Sequence, residues 1–559
     1  MGSSYEVEDM TKNTASSLSI RQAETKKTRN MSSAPQEVDR PAIRQLFDSF
    51  KKDAEGNVSR MEVLSRLERA GILPDDPRVD HALKAVAESS PDGPNLNLDR
   101  FAKLCQQSGG LLERSITGAL VIPDFVSFTN SITEIYTDLL GEKRGAVADY
   151  IPQLKRVSPD RFGIAVCTVD GQRFSIGDAG VEFCVQSVCK PVNYSLTLDE
   201  HSADIVHRHV GREPSGRKFN ELSVNGDGLP HNPMINSGAI MSCSLIKRSF
   251  DMADRFDFVA DTWRRLAAGG PVGFNNSVYL SERQTADRNF ALGYFMRESG
   301  AFPDGTDLVE TLEFYFQCCS IELDARGLAS VASTFANGGV VPLSNDRVFA
   351  SDSVKKCLSL MSSCGMYDYS GEFAFHIGLP AKSGVSGALM LVIPQVMGIA
   401  IWAPPLDSLG NSVRGIEFCR KLVGRYTFHI YDSLTAENCG KQDPRLKRNQ
   451  SVMDTTIRLL WSASAGDLEG VRAALASGVS ANACDYDGRT ALHLAAAEGH
   501  VEVATHLLER GAEAQAVDRW GGTALTDAEN GGHGAIVKLL RHGAPTGEPP
   551  PVSLTSETA

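Results

Sequence analysis

FCVQSVCKPVN, residues 183 to 193, holds a serine, two cysteines and a lysine within seven positions, and its reading decides the fold of the largest part of the chain. Ser187 and Lys190 are three apart, so a helix brings them onto one face. Pro191 fixes where that helix begins, because proline is tolerated only in a first turn, where its missing N–H has no intrahelical partner. Ser187 is therefore predicted at a helix N-terminus, where the dipole stabilises negative charge and its own N–H can donate to an oxyanion. Lys190, flanked by Phe183 and Val192, is expected to be desolvated. A depressed pKa would let it take the serine proton as a neutral amine. Cys184 and Cys189 read as small apolar fillers.

A Ser-x-x-Lys by itself is a weak signal. A second stretch strengthens it: LPAKSGVSGALML, 379 to 391, sets Lys382-Ser383-Gly384 at the head of a strand, resembling the Lys-Thr-Gly element of penicillin-recognising serine enzymes. Between the two, SCGMYDYSG (363 to 371) offers Tyr367 as a proton relay. The order points to an acylating serine hydrolase.

The strands around these motifs are legible. RFGIAVCTVDGQRFSIGD, 161 to 178, has two β-rich runs about Asp170-Gly171, a two-residue hairpin signal. GALMLVIPQVMGIAIWAPP, 387 to 405, is apolar enough to suggest a membrane span. Pro394 and Gln395 interrupt it, and the reading is two buried strands joined by a turn.

Outward from this core, 559 residues suggest three or four domains at roughly 150 residues each. The composition, 42% apolar and 22% charged, is that of a globular chain with large cores. A net charge of -13 argues against nucleic acid or an anionic membrane as partner. Twelve cysteines without a CxxC pair or regular spacing suggest neither a metal cluster nor a disulfide framework, and imply a reducing compartment. No metal and no cofactor are expected.

Residues 1–40 are Ser/Thr-rich and predicted disordered. They lack the apolar region of a signal peptide, and Glu6, Glu8 and Asp9 run against a mitochondrial transit peptide. Glu6 also stands where a myristoylation signal at Gly2 needs Ser or Thr. Residues 41–123 read as a helical module. There KKDAEGNVSRME (51 to 62) aligns with a calcium-binding loop, Gly56 at position six, Val58 at eight and Glu62 at twelve. Lys51 at the first ligand position should abolish calcium binding, so the module is read as EF-hand-like without metal. Residues 124–432 form the catalytic domain and 433–453 a polar linker. From 454 to 544 a 33-residue period returns Gly488, Thr490, Leu492 and Gly499 as Gly521, Thr523, Leu525 and Gly532, an ankyrin signature of three repeats. The tail 545–559 is proline-rich and predicted disordered.

Together the motifs YIPQLKRVSPDRFGIAVCTVDGQRFSIGD, FCVQSVCKPVN, GREPSGRKFN, HNPMINSGAI, SERQTADRNFALGYFM, CSIELDARGLASVASTFANGG and SLMSSCGMYDYSGEFAFHIGLPAKSGVSG resemble the glutaminase family from about Asp124 to Asp432. The helical module and the ankyrin repeats resemble the animal kidney- and liver-type members. The resemblance implies a multidomain protein with an α/β serine β-lactamase-like core, a mixed antiparallel sheet with helices, that hydrolyses L-glutamine to L-glutamate and ammonia. By motif it makes Ser187 the nucleophile, Lys190 its general base and Tyr367 a proton-transfer aid, with the N–H groups of Ser187 and Val385 as the oxyanion hole. It marks Tyr150, Gln186, Asn236, Glu282, Asn289 and Tyr315 as substrate contacts. Their chemistry suits an amino acid, since Glu282 can hold an α-ammonium while Asn and Tyr donors bind a carboxylate. Taken singly, Tyr150 and Tyr315 read as core aromatics, Asn236 as a turn residue and Glu282 as a capping acid.

The resemblance also implies a homotetramer, a mitochondrial location with the cytoplasm as alternative, and phosphate as a candidate activator. Glu221 and Ser223 depart from the basic and aromatic residues of kidney-type relatives and count against that activation, because anions need donors and cations. The ankyrin repeats suit a protein partner whose identity the sequence does not give. Two other readings stand beside this one: a β-lactamase-like amidohydrolase of another substrate, and an ankyrin scaffold around an enzyme-like core. A requirement for Glu282 separates the first, and loss of turnover the second.

Overall fold

The computed structural model describes residues 40–88, 95–216, 221–434, 440–446, 448–476 and 479–542. Residues 1–39 of the expected disordered segment and the whole tail 545–559 lie outside the described residues. The chain divides into two compact units, Met1–Val63 with His81–Glu113, and Leu64–Asp80 with Arg114–Ala559.

In the first unit, β1 (Val58–Ser59) and β2 (Asn95–Leu96) form an antiparallel pair with Val58 opposite Leu96. The edges of Phe47 and Phe50 pack on Phe101, with ring centroids 5.5 and 5.6 Å away. Gly56, with φ +81, makes the sharp turn at position six. Asp53 spends its carboxylate on the N–H groups of Glu55 and Asn57 and on the Asn95 amide. Lys52 pairs with Asp48.

The second unit is built on β3 (Gly163–Thr168), β4 (Arg173–Gly177), β5 (Phe183–Cys184), β6 (Val272–Phe274), β7 (Ile321–Leu323), β8 (Ala381–Ser383), β9 (Ala388–Ile393) and β10 (Met397–Trp402). Five of them make an antiparallel sheet in the order β4-β3-β10-β9-β8, and β5-β7-β6 make a smaller one. Every residue of β3, β9 and β10 is buried because both faces are covered. The pleat sorts their side chains. Ile164, Val166, Leu389, Leu391, Ile399 and Ile401 enter the core with helices Phe125–Leu139 and Val413–Arg425. Ala165, Met390, Val392, Ala400 and Trp402 enter the core with helix Ala325–Ala336. Gly398 lets that helix approach, since a β-carbon there would stand 2.1 Å from the Ser333 nitrogen.

The apolar stretch 387 to 405 is the expected pair of buried strands, β9 and β10, with Met397 opposite Ile393. Pro394 and Gln395, the latter at φ +62, form the turn, closed by the Val396 N–H on the Ile393 carbonyl. Among the described residues no helix is long and apolar enough to cross a membrane.

Two expectations change. The hairpin at Asp170-Gly171 turns through three residues, because the Thr168 N–H donates to the Gln172 carbonyl. Asp170 is buried, its carboxylate accepting from Thr168 Oγ1 (2.6 Å) and the Val121 N–H (2.7 Å), and within the turn Gly171 alone lies in the left-handed region, at φ +91. Part of the linker 433–453 is helical, since helix Arg448–Ala465 starts inside it. The polar run there carries no helix breaker after Pro444, and polarity alone does not stop a helix. Helix pairs Arg448–Ala465 and Leu468–Ala476, Ala491–Glu498 and Val501–Glu509, and Ala524–Asn530 and Gly534–His542 follow the 33-residue period. His500 and His533, one period apart, each donate from Nε2 to a carbonyl one repeat back, on Ser464 and Ala497, both at 2.9 Å.

Candidate active site

β5 runs directly into a 3-10 turn, Gln186–Val188, and then into helix Cys189–Glu200. Ser187 thus lies in the turn that leads the helix, and Pro191 is the third helical residue, inside the first turn as its missing N–H requires. Gln186 adopts φ +48, strained for a side chain with a β-carbon, and this bend aims the turn inward. The Val185 N–H on the Ile321 carbonyl anchors the bend to β7. Lys190 is 1% exposed, and its Nζ lies 3.0 Å from Ser187 Oγ and 2.7 Å from Asn236 Oδ1. Burial brings its pKa down to about 8.

Facing this turn is the end of β8. A β-carbon on Gly384 would stand 3.0 Å from the Val185 carbonyl oxygen and 3.1 Å from Val188 Cγ2, so glycine allows the chain before Val385 to lie on the serine turn. Tyr367 opens a second 3-10 turn, Tyr367–Tyr369, with φ +54. Burial pushes its phenol above the ordinary range, and the neighbouring Ser187 hydroxyl offsets part of that. Lys382 is buried with Nζ 4.5 Å from the Tyr367 ring centroid, and it donates to the carbonyls of Gly365 (3.1 Å) and Ser383 (2.7 Å). Burial, then the charge of Lys190, hold its pKa well below the lysine range. The sequence stretch containing Lys382 was legible as a motif, but its contact with Tyr367 was not.

Helices supply the remaining walls. Asn236 begins helix Asn236–Leu245, Asn289 lies in Asp287–Glu298 and Tyr315 in Leu308–Cys319. Asn236 Nδ2 donates to Asn289 Oδ1 (3.2 Å), while the Tyr315 hydroxyl donates to Asn236 Oδ1 (3.4 Å). Glu282, on helix Asn276–Gln284, accepts at Oε1 from the Tyr150 hydroxyl (2.5 Å) and from Gln186 Nε2 (3.1 Å). Its pKa is raised by burial, against the pull of those two donors. Of the four single-residue readings only that of Tyr315, buried in the core, holds: Tyr150 is 47% exposed, Asn275 caps the Glu282 helix, and Asn236 is helical.

The structure therefore brings Ser187, Lys190, Asn236, Asn289 and Tyr315 into one hydrogen-bonded chain. Gln186, Glu282 and Tyr150 form a second, joined to the first at the Gln186–Ser187 peptide. Val385 packs half-buried beside Cys184, Val278 and Ile151. Cys189 is buried with Sγ 3.9 Å from Cys319 Sγ, and burial followed by Glu322 pushes the Cys184 thiol up, which suits packing rather than nucleophilic use. A cavity of about 620 Å³ reaches Tyr367, and Glu221 and Asp368 are on its wall. No group of three or more His, Cys, Asp or Glu side chains that could hold a metal ion occurs among the described residues.

The arrangement can do acyl transfer: a serine hydroxyl, an amine base within hydrogen-bond reach, a phenol beside them, and a carboxylate deep enough to choose a cationic group. Three family models match the chain: Glutaminase over residues 145–431, EF-hand domain over 43–123 and ankyrin repeats (3 copies) over 459–547. The chain is 44% identical over 436 residues to a Rattus norvegicus protein named glutaminase liver isoform, mitochondrial, covering 77% of this chain and 72% of that one. It is 41% identical to a glutaminase of Trichormus variabilis over 55% of this chain and 91% of that one. A crystal structure of Mglu superposes with TM-score 0.52 at 35% identity, over 54% of this chain and 76% of that one.

Proposed function

Since the chain belongs to the glutaminase family, we propose that it hydrolyses L-glutamine to L-glutamate and ammonia through an acyl-enzyme on Ser187. Lys190, in the neutral form that burial brings within reach by lowering its pKa to about 8, takes the Ser187 proton as Oγ attacks the γ-carboxamide carbon. The N–H groups of Ser187 and Val385 hold the oxyanion that develops, a contact strongest in the transition state. The tetrahedral adduct collapses with the C–N bond breaking, and a proton delivered through Tyr367 lets the nitrogen leave as ammonia. Water then attacks the ester with Lys190 as base, releasing glutamate and restoring the serine.

Glu282 binds the α-ammonium, with Tyr150 and Gln186 orienting its carboxylate, while Asn236, Asn289 and Tyr315 bind the α-carboxylate. The observation that carries the reading is the Lys190 Nζ to Ser187 Oγ distance of 3.0 Å in a site that lowers the lysine pKa. We further propose a homotetramer, a protein partner for the ankyrin repeats, and a mitochondrial location, the last supported by the name of the rat relative. Glu221 on the cavity wall disfavours an anion beside Tyr367, so turnover is expected without phosphate. Ammonia release by purified protein, from L-glutamine and from L-asparagine, with and without phosphate, tests the reading. Release from glutamine alone is the expected result, and no release from glutamine under either condition overturns it.

A further inference from the structure

Tyr367 is held in the left-handed region, where a residue with a β-carbon stays only if its surroundings over-determine it. Three separate elements do so. From helix Ser370–His376, Ser370 Oγ donates to the Tyr367 carbonyl (2.7 Å) and accepts from the Met366 N–H (3.0 Å), closing a ring around the strained peptide. From β8, Lys382 holds the Gly365 carbonyl and stands over the phenol ring. From the loop after β10, Asn411 Nδ2 donates to the Met366 carbonyl at 3.3 Å. A β-carbon on Gly410 would lie 3.7 Å from Tyr367 Cε2, so the same loop also backs the ring.

Asn411 is the informative member. It is fully buried, and among the described residues its Oδ1 has no hydrogen-bond partner. The orientation of the amide is fixed, because only Nδ2 can face the Met366 carbonyl. A leucine of similar size would fill the same space without an unsatisfied buried acceptor, and although the long bond to the Met366 carbonyl is lost, that carbonyl keeps the Tyr369 N–H (3.1 Å), so stability does not require the amide. The loop is rigid: the Asn411 N–H donates to Asp407 Oδ1 (3.0 Å), and the Asp407 N–H returns to the Asn411 carbonyl (2.8 Å). The amide is thus aimed from a fixed base at the peptide that precedes Tyr367.

We propose that Asn411 and Ser370 are positioning residues for catalysis, which pin the peptide units on either side of Tyr367 so that its phenol faces Ser187 in the conformation proton transfer needs. They touch neither substrate nor the reacting atoms. The proposal rests on the role given above to Tyr367. It predicts a change in kcat with KM preserved, since the substrate contacts on Glu282, Asn236 and Tyr315 belong to other elements.

The test uses full-length Asn411→Leu, Ser370→Ala and Tyr367→Phe, and each of the first two combined with Tyr367→Phe. Asn411→Leu should lower kcat about tenfold, the range of one lost hydrogen bond, with KM within about twofold. Its melting temperature should be equal to or above that of the parent chain, so that activity and stability move apart. Ser370→Ala should lower kcat in the same way and gives an independent readout if the leucine variant folds poorly. In the Tyr367→Phe background neither change should cost further activity, which a merely structural role would not produce. Parent kcat in both single variants, with Tyr367→Phe impaired, overturns the positioning role alone. Equal losses in both backgrounds overturn it too. Parent activity in Tyr367→Phe removes the tyrosine's own role, a different failure that takes the positioning role with it.

Discussion

Replacing Lys190 with methionine should abolish turnover and yet make the catalytic unit more stable at neutral pH. The lysine pKa falls from 10.5 to about 8 because the site desolvates it. At pH 7 that shift is worth about 3 kcal/mol against folding. The sign follows from proton counts: between about pH 8 and 10.5 the unfolded lysine is protonated and the folded one is not, so native stability rises with pH across that window. Below it the whole penalty is present. Methionine removes the penalty and also removes the hydrogen bonds to Ser187 Oγ and Asn236 Oδ1, roughly 1 kcal/mol each. The net expectation is a gain of about 1 kcal/mol at pH 7, turning into a loss of similar size or more by pH 10. Relief of Lys382, whose pKa the charge of Lys190 helps to depress, adds in the stabilising direction at low pH. Urea unfolding followed by tryptophan fluorescence at pH 7 and pH 10 measures this. Trp263 and Trp402 are buried in the catalytic unit, whereas Trp461 and Trp520 are exposed on the repeats and respond little to its unfolding. A variant less stable by the same amount at both pH values would refute the desolvated-amine argument.

Two further outcomes are expected. In the parent chain kcat/KM should rise with pH through an inflection near about 8, because only the neutral form of Lys190 can accept the Ser187 proton; a flat profile from pH 6 to 9 contradicts this. Glu282→Gln should raise KM for glutamine by roughly 10- to 100-fold, the range of a charge-assisted hydrogen bond lost in a buried site, with a smaller effect on kcat. Steady-state kinetics on the variant checks it, and an unchanged KM would move the α-ammonium site elsewhere.

Much of this was legible in the chain because the signals were local. The Ser187–Lys190 spacing with Pro191 needs only helical geometry, and Pro394-Gln395 between two apolar runs needs only turn chemistry. The ankyrin period repeats its own contacts, as His500 and His533 do. What could not be read depends on the meeting of distant segments. Sequence around Gln186 and Tyr367 does not mark them as left-handed, since the constraint comes from β7 for the first and, for the second, from Lys382 and Asn411 acting with the nearby Ser370. Asp170-Gly171 is a two-residue signal by local rules; in the fold the turn has three residues, and the Asp170 carboxylate is held by Thr168 beside it and by Val121, some fifty residues earlier. Glu282 and Asn236 were ordinary by local context. They became site residues when Tyr150, Gln186, Asn289 and Tyr315 arrived from other elements. Asn411 offered no signal in sequence, because its informative property is a buried acceptor left unpaired.

In the proposed mechanism Ser187 carries the acyl group. Mixing the parent chain with L-glutamine, quenching within the first turnovers and mapping peptides by mass spectrometry tests it most directly, with Ser187→Ala run beside it. The expected result is one γ-glutamyl group on the peptide containing Ser187, ammonia released in step with its turnover, and neither in the alanine variant. Ammonia release from the variant at the parent rate, or a glutamyl group on any other residue, would contradict it.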